Sequence, residues 1–416
     1  MKLNIKRTLP AFLLLLPLLF CSCANDSSSS NPAVAPAPTT GGSTGSTDIA
    51  SKTLTGEEIN KILLTNLGAN SSAKYVKPSA TAPESSVQTY TINTAINAVL
   101  YRSSTTIYYY AKGYTDSNKG IPLNSNCFNM FKSCKSLLTI DMTGFDTSNV
   151  TNMCSMINEC DNLRSVDLSK FNTSKVTNMS WMFSGSKNII SLDLSSFDTR
   201  NVTDMSGMFC DTEAVEEINI SSFDTSNVTT MNKMFTCMFK LRKLNISHFN
   251  TSKVTDMSCM LSNMYALENL NINNFDTRNV TDMSYMFAWN KKLASIDCSS
   301  FITSKVTNFG AMFAGIDLLT ELDLSKFDFS KATILSMQSE SDGIWFGMFY
   351  YSKKLSKIYV AQNTDLSSIK TSENLFESCY ELVGGSGTNY DYIHKDSTYA
   401  RVDGGTDKPG YFTVKN

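Results

Sequence analysis

The feature that most constrains this chain is a spacing of 26 residues, which recurs without a break through its middle. Eight phenylalanines and eight methionines keep that spacing, and they are Phe145, Phe171, Phe197, Phe223, Phe249, Phe275, Phe301 and Phe327, and Met130, Met156, Met182, Met208, Met234, Met260, Met286 and Met312. This period indicates a repeat architecture, because a unit of this size cannot bury its apolar face alone. The length of 416 residues therefore does not indicate two or three independent domains.

Within each unit, the spacing of the apolar residues changes along the chain. Leu163, Val166 and Leu168 form an L-x-x-L-x-L pattern, whose last two members point inward as in a half-buried strand. Phe-Asp-Thr-Ser then supplies turn residues, and Val-Thr-x-Met-Ser-x-Met-Phe places apolar residues three apart, which favours a helical or 3₁₀ turn. The predicted fold is an α/β repeat solenoid of leucine-rich-repeat-like coils, each with a short parallel β-strand, a turn and a short helical or 3₁₀ return.

The repeats are predicted to occupy residues 129–383. Eight regular units begin at Met130, and degenerate units follow them. The distance from Met312 to Met348 is 36 residues, which indicates a ten-residue insertion near 337–346.

Caps are expected at both ends, because an unpaired strand edge is prone to pair with other chains. Residues 54–128 are predicted to form an N-terminal cap of a helix and strands, since Thr55 and Glu58 have the spacing of a capping box. Residues 384–416 are predicted to form the C-terminal cap.

The amino terminus has the pattern of a lipoprotein signal peptide over residues 1–22, with basic residues before an apolar run of ten residues. Ser22 directly before Cys23 resembles a lipobox, which predicts lipidation of Cys23; ordinary secretion with an unmodified thiol is the alternative. Residues 23–53 consist mostly of Ser, Asn, Pro, Ala, Gly and Thr, and they are predicted to form a flexible tether.

The repeat also resembles a known group. Met-Phe, Leu-Asp-Leu-Ser, Phe-Asp-Thr-Ser and Val-Thr-Asp-Met stand as contiguous blocks between Met130 and Met312, as they do in bacterial BspA-like leucine-rich-repeat surface proteins. The match continues more weakly to about Val383, and residues 384–413 resemble the terminal cap of that family. The resemblance implies a cell-surface repeat protein that attaches to host or bacterial partners. The chain differs from the usual leucine-rich repeat in having Phe where an Asn ladder is common.

Composition excludes several classes of function. Acids outnumber bases by 38 to 36 without a block of like charge, so no nucleic-acid partner is expected. The chain has two histidines, which leaves little for zinc sites or histidine-based catalysis, and we expect neither an enzyme nor a cofactor.

One candidate binding surface is the outward position between the two inward strand residues. It is occupied by Asp141, Asp167, Asp193, Asn219, Asn245, Asn271, Asp297 and Asp323. On parallel strands these side chains form a column, which could meet a basic partner or hold a cation. The alternative is a solvated ladder in which each acid bonds to the serine two residues later. No metal is assigned to the column.

The insertion provides a second candidate, a loop that contains Glu340, Asp342, Trp345 and Phe346. Insertions in repeat proteins emerge as loops, which often carry binding residues. Trp345 and Phe346 could instead fold back and seal the next coil.

The function that these patterns favour is adhesion by a lipid-anchored protein of the bacterial cell envelope, at the outer membrane or cell surface. The expected partner is an extracellular-matrix protein, another surface protein or a glycan, and the membrane is contacted through the lipid anchor only. The alternative is a structural envelope or surface-layer protein without a specific ligand, and a carbohydrate-active enzyme is less favoured because a column of equivalent acids singles out no catalytic pair.

The lipid anchor gives the first testable prediction. Ser22-Cys23 matches a lipobox because a small residue directly precedes the cysteine. Cys23→Ala is therefore expected to abolish palmitate labelling and to release the protein from membranes. Labelling and fractionation of cells that express each form would check this. Unchanged labelling together with unchanged membrane retention would contradict it.

Overall fold

The computed structural model describes residues 52–115 and 119–415. The predicted signal peptide, Cys23 and all but the last two residues of the predicted tether lie outside the described residues. Strands and turns dominate the described part, whose helices are α1 (Gly56–Thr65) and two 3₁₀ turns, Ser397–Tyr399 and Gly405–Asp407. None of these helices is long and apolar enough to cross a membrane.

The strands are short, and most contain two to five residues. They are β1 (Tyr75–Pro78), β2 (Thr89–Asn93), β3 (Ala98–Ser103), β4 (Thr106–Tyr110), β5 (Ile121–Pro122), β6 (Thr139–Asp141), β7 (Phe145–Asp146), β8 (Ser165–Asp167), β9 (Ser191–Asp193), β10 (Glu217–Asn219), β11 (Glu321–Asp323), β12 (Ser336–Gln338), β13 (Trp345–Gly347), β14 (Lys357–Val360) and β15 (Phe412–Val414). Repeats are numbered below from the methionine that begins each, from repeat 1 at Met130 to repeat 8 at Met312, and repeat 9 begins at Met348.

Helix α1 begins at a capping box. The Thr55 hydroxyl accepts the Glu58 N–H at 3.4 Å, and the Glu58 carboxylate accepts the Thr55 N–H at 2.8 Å. Ile59 and Leu63 on the inner face of the helix are buried. The helix therefore packs on the core through apolar side chains that lie one turn apart on the same face.

The N-terminal strands join directly to the first repeat. One six-stranded sheet has the order β2-β3-β4-β1-β6-β8, and β1 pairs in parallel with β6 of repeat 1. Tyr109 of β4 stacks on Phe145 with ring centroids 4.1 Å apart, and its hydroxyl donates to the Asp141 carbonyl at 2.9 Å. Burial raises the pKa of Tyr109 far above its ordinary value, so this hydroxyl stays a donor. The first repeat is thus covered by paired backbone.

Parallel strands pair between neighbouring repeats in a register of 26 residues. In the described residues this pairing is interrupted between β8 and β9, and in repeats 5 to 7 it is limited to the Lys243–Asn269 bridge. Asp141 pairs with Asp167 and Asp193 with Asn219. At the far end the longer repeat 8 pairs with repeat 9, so that Asp323 lies opposite Tyr359. In repeats 1 to 4 and 8 the L-x-x-L-x-L segments are thus short parallel strands that bury one side, with Leu192 and Leu194 at most 4% exposed. The predicted strand is absent from repeats 5 to 7, where the segment keeps the same buried side without continuous pairing.

A second parallel ladder consists of single-residue bridges on another edge of the repeats. It is continuous through every repeat, and its members are Asn126, Asn152, Asn178, Asp204, Thr230, Asp256, Asp282, Asn308, Ile334 and Thr371. This continuous ladder fixes both the spacing and the register of neighbouring repeats, and the strand pairs reinforce it where they occur.

The return segment is not a helix, and the predicted helical or 3₁₀ return is wrong. In repeat 2 the Ser155 and Ile157 N–H groups donate to the carbonyls of Ser180 and Met182 in the next repeat, at 2.9 and 2.8 Å. Ser155 and Glu159 have φ of 53° and 55°, in the left-handed region. The N–H groups between them, of Met156 and Asn158, donate to carbonyls three residues back at 3.2 Å. Single turns therefore alternate with bonds to the next repeat, and no continuous helix forms.

The core consists of the same columns that the sequence repeats. Met153, Met156 and Val150 have no exposed surface, and the phenylalanines lie in ring stacks that cross several repeats. Ring centroids are 6.3 Å apart between Phe171 and Phe197, and 5.9 Å between Phe183 and Phe209. Each ring is therefore buried by the repeats on both sides of it.

A buried threonine column connects the repeats next to the phenylalanine stack. The Thr225 hydroxyl donates to the Asn250 carbonyl at 2.9 Å and accepts the Asn250 N–H at 2.8 Å, and the side chain is 1% exposed. The same pair of bonds recurs at Thr147, Thr173, Thr199, Thr225, Thr251, Thr277 and Thr303. This column satisfies backbone groups of the next repeat, as an asparagine ladder would.

The C-terminal segment is ordered around one carboxylate. β15 pairs in parallel with β14, and Asp403 accepts hydrogen bonds from the N–H groups of Ser386, Thr388 and Gly405. Burial opposes ionisation of Asp403, but these bonds and the Thr388 hydroxyl outweigh it and lower the pKa to about 2. The carboxylate therefore stays ionised at ordinary pH and joins the loop of Ser386 and Thr388 to the turn at Gly405.

The threonine column gives a stability prediction. Thr225→Val keeps the shape of this buried side chain but leaves the Asn250 N–H and carbonyl without their hydroxyl partner, so it is expected to lower the free energy of unfolding by about 1–3 kcal/mol. Thr229→Val is the matched control, because Thr229 is exposed and water can replace its bond to Thr203. Equal losses for the two variants in denaturant unfolding would contradict this role for the column.

Candidate binding surface

The predicted aspartate and asparagine column lies on the outer side of the strand ladder. Asp167, Asp193 and Asp297 are exposed, whereas Asp141 and Asp323 are half-buried. A shallow groove of about 450 Å³ runs along Asp141, Asp167 and Asp193 of repeats 1 to 3. The structure therefore brings the column together on one surface, as parallel strands require.

Each member of the column is already bonded within its own repeat. The Asp167 carboxylate accepts the N–H of Ser169 at 3.0 Å and its hydroxyl at 2.7 Å, and Asp193 accepts the Ser195 N–H at 3.1 Å. These serine bonds lower the pKa of Asp193 below its ordinary value. The arrangement is that of the solvated ladder, in which carboxylate oxygens serve the turn after the strand.

The last aspartate of the column is covered by the C-terminal segment. Lys415 forms an ion pair with Asp323. Burial raises the pKa of Asp323, but the bonds from Lys415 and Ser325 outweigh burial, so the pKa lies below its ordinary value. This end of the column is therefore used in holding the C-terminus.

The insertion forms an antiparallel hairpin of β12 and β13, with Phe346 opposite Met337. Glu340 and Asp342 are exposed at its tip, and Trp345 is half-buried. Phe346 has no exposed surface, so it belongs to the core and cannot offer a ring to a partner. Because side chains alternate along a strand, Trp345 lies on the other side of the hairpin from Phe346.

Phe346 completes an aromatic cluster that the sequence does not reveal. It contacts Trp289 of repeat 7 with ring centroids 6.1 Å apart and Tyr350 of repeat 9 at 5.0 Å. Trp289 also packs over Gly315, where a Cβ atom would lie 2.1 Å from the indole ring. A glycine 26 residues after a tryptophan marks this packing in the sequence, but the same pair at Trp181 and Gly207 has no such cluster, so the signal does not locate the cluster by itself.

The outer rim of the cluster is an aromatic patch, defined here as Tyr265, Tyr285, Tyr350 and Tyr351, which are half-buried against Trp289 and Phe346. Two lysines lie over its rings. The Lys353 amine is 4.0 Å from the Tyr351 ring centroid, and the Lys291 amine is 6.0 Å from that of Tyr265 and 5.5 Å from that of Trp289 beneath the patch. Burial raises the pKa of Tyr350 to about 12, so its hydroxyl remains a neutral donor.

A scan of protein families identifies the repeats. The family described as "Mycoplasma protein of unknown function, DUF285" matches residues 125–243, 237–343 and 270–386, which together are more than half of the chain. The chain belongs to this family. No curated protein matches it.

Among solved structures, the DUF285 chain is similar to a chain of the TLR13–ssRNA13 complex. The identity is 15% and the TM-score is 0.20, over 72% of this chain and 42% of that chain. The chain thus spans less than half of that chain, and a likeness of this strength bears on neither fold nor function.

One carboxylate pair of the DUF285 repeats lies on the bridge ladder. Asp256 and Asp282 are neighbours there. Burial raises the pKa of Asp256 above its ordinary value, the charge of Asp282 adds to this, and the bonds from Ser258 oppose it. Other repeats have Asn152 and Asn178 at the same position. An amide therefore fits there without the cost of a buried charge.

This arrangement predicts a pH dependence. Because the pKa of Asp256 is higher in the folded than in the unfolded state, its ionised form lowers the free energy of unfolding at pH 7. Protonation removes this loss of stability as the pH falls through the folded-state pKa. Asp256→Asn is therefore expected to raise the unfolding midpoint at pH 7 and to have little effect under acidic conditions in which Asp256 is protonated. Thermal unfolding at several pH values would check this.

The control is Asp224→Asn, because serine bonds lower the pKa of Asp224 and its ionised form is stabilising. That variant is expected to lower the midpoint at pH 7. Identical shifts at all pH values for Asp256→Asn would contradict the assigned cause.

Proposed function

We propose that this DUF285 protein is an adhesin, a lipid-anchored repeat solenoid of the BspA-like kind that binds host or bacterial surface partners, protein or glycan, through the aromatic patch. The observation that carries the proposal is the patch itself, with four half-buried tyrosines around a buried tryptophan and two lysines over the rings. Interface centres are enriched in these aromatic residue types, and a few such side chains supply most of the binding energy.

The patch is preorganised, which supports the proposal. Tyr350 and Tyr351 stack with centroids 5.8 Å apart, and Tyr265 stacks on Phe239 at 4.7 Å. Rings held in this way lose little freedom when a partner arrives, so less of the contact energy is spent on ordering. Their hydroxyls and the nearby lysines give polar contacts at the rim.

The anchor and the solenoid arrangement complete the proposal. Cys23 would carry the lipid, and the polar segment up to residue 53 would hold the repeats away from the membrane. Stacked repeats of this kind present equivalent positions in rows, which suits attachment to extended partners. The rival, a structural envelope protein without a specific ligand, requires no function of the patch.

The test uses the mature chain on a panel of immobilised extracellular-matrix proteins and glycans. Tyr265→Ala combined with Tyr351→Ala is expected to weaken binding at least about tenfold, since each hot-spot side chain contributes more than about 1 kcal/mol. The control is Tyr75→Ala combined with Tyr392→Ala, because both tyrosines are exposed and lie outside the patch.

Further variants separate the candidate surfaces. Asn replacing Asp141, Asp167 and Asp193 tests the column, and removal of Glu340–Asp342 tests the hairpin tip while keeping the buried Phe346. If one of these variants loses binding while the patch variant binds normally and the melting temperatures are unchanged, the binding site lies on the column or the hairpin tip and not on the patch. No binding by the wild type anywhere on the panel would favour the structural rival.

A further inference from the structure

The outer side of the strand ladder carries opposite charge blocks on repeats 4 and 5. Repeat 4 contributes three acids and repeat 5 contributes three bases, and these are Glu213, Glu216, Glu217, Lys240, Arg242 and Lys243. Within the described residues, ion pairs join Lys187 to Glu213 and, more loosely at 3.8 Å, Lys240 to Glu216. Glu217, Arg242 and Lys243 are exposed and have no ion pair there.

The surface is open between these two repeats. Backbone pairing joins β9 to β10 and Lys243 to Asn269, but in the described ranges none joins β10 to the segment of Lys243. A groove of about 750 Å³ lies at this break, and its lining includes Ile218 and Phe239 as well as the charged side chains. Side chains of a partner could enter here.

We propose that this face is a two-fold symmetric interface whose occupant is a second copy of this chain, running in the opposite direction. A two-fold axis that lies in the plane of the face, parallel to the strands and between repeats 4 and 5, brings the acids of each copy against the bases of the other. The contact is isologous, so it is formed twice and closes at a dimer.

The flanking repeats continue the match. Repeat 2 contributes Asp161, Arg164 and Asp167, with a net charge of −1, and the same axis places it opposite repeat 7. Repeat 7 contributes Lys291, Lys292 and Asp297, with a net charge of +1. Repeat 3, where Lys187 balances Asp193, meets repeat 6 with its single acid, Glu268. No pair of facing repeats from 2 to 7 therefore has like net charge.

A second copy fits this face better than a polyanion does. Glu216 and Glu217 line the same groove as Lys240 and Arg242, so an anionic chain that reached the bases would also meet two acids. A second copy in the opposite direction places its bases against these acids and its acids against these bases, so both blocks meet opposite charge. Ile190, which is 54% exposed beside the blocks, adds apolar surface to the contact.

Exposed ion pairs are individually weak and screened by salt. The dimer is therefore expected to dissociate as the salt concentration rises, with at least about a tenfold increase in its dissociation constant between 50 and 500 mM salt. This inference does not depend on the proposed adhesion, since the two charge blocks lie on repeats 4 and 5 and carry no residue of the patch. The two surfaces adjoin where Phe239 of the groove stacks on Tyr265 and where Lys291 lies over the patch.

The test is a charge exchange measured by sedimentation velocity on the mature chain carrying Cys23→Ser. Glu216→Lys with Glu217→Lys makes both blocks basic, and Arg242→Glu with Lys243→Glu makes the face acidic. Each variant alone is expected to dimerise at least tenfold more weakly than the wild type. An equimolar mixture of the two is expected to form a heterodimer, because every facing block then has opposite charge.

Recovery on mixing excludes misfolding as the cause of the loss. The matched control is Lys175→Glu with Lys253→Glu, which changes the same number of charges as the acidic variant on a different edge of the repeats and is expected to leave the dimer intact. A wild type that remains monomeric at low salt, or a mixture that fails to associate, would overturn the proposal. A monomer that binds added heparin through Arg242 and Lys243 would assign the groove to an anionic ligand instead.

Discussion

Hydrogen bonding between the backbones of successive repeats is the constraint on which the other features depend. Each repeat donates from its return segment to the next repeat, as Phe183 does to Met208 at 3.0 Å, and single-residue bridges join every repeat to its neighbour. A slip of one residue would leave these groups without partners and turn buried side chains outward. The insertion is tolerated because the hairpin projects away from the bonds between repeats. Phe313 of repeat 8 still donates to the Met348 carbonyl of repeat 9 at 2.9 Å.

Much of the repeat could be predicted from the sequence, because burial alone sets the spacing of its apolar residues. The parallel strands and the buried Phe223 follow from patterns of period two and 26. The return could not be predicted in this way. Its left-handed positions are filled by residues as different as Ser155, Trp181 and Lys233, since the bonds to the next repeat, and not the side chain, hold the backbone there.

The candidate surfaces show the same division. The aspartate column was predictable because it depends on one strand position per repeat. The aromatic cluster depends on contacts between Trp289, Phe346 and Tyr350, which lie in different repeats and on an irregular insertion, so no local pattern contains it. The threonine column is visible in repeats 1 to 7, where the sequence alone indicates turn chemistry, because its bonds to the next repeat appear only once the repeats are placed side by side.

Pairing between neighbours also determines how the molecule responds to tension. The N-terminal strands bond to repeat 1 and β15 bonds to β14, so a pull on the two ends loads the stack in series. Each junction holds through a limited number of hydrogen bonds, and a repeat that detaches releases 26 residues, about 90 Å of extended chain. The stack would therefore lengthen in steps and absorb work at each one, instead of failing at once.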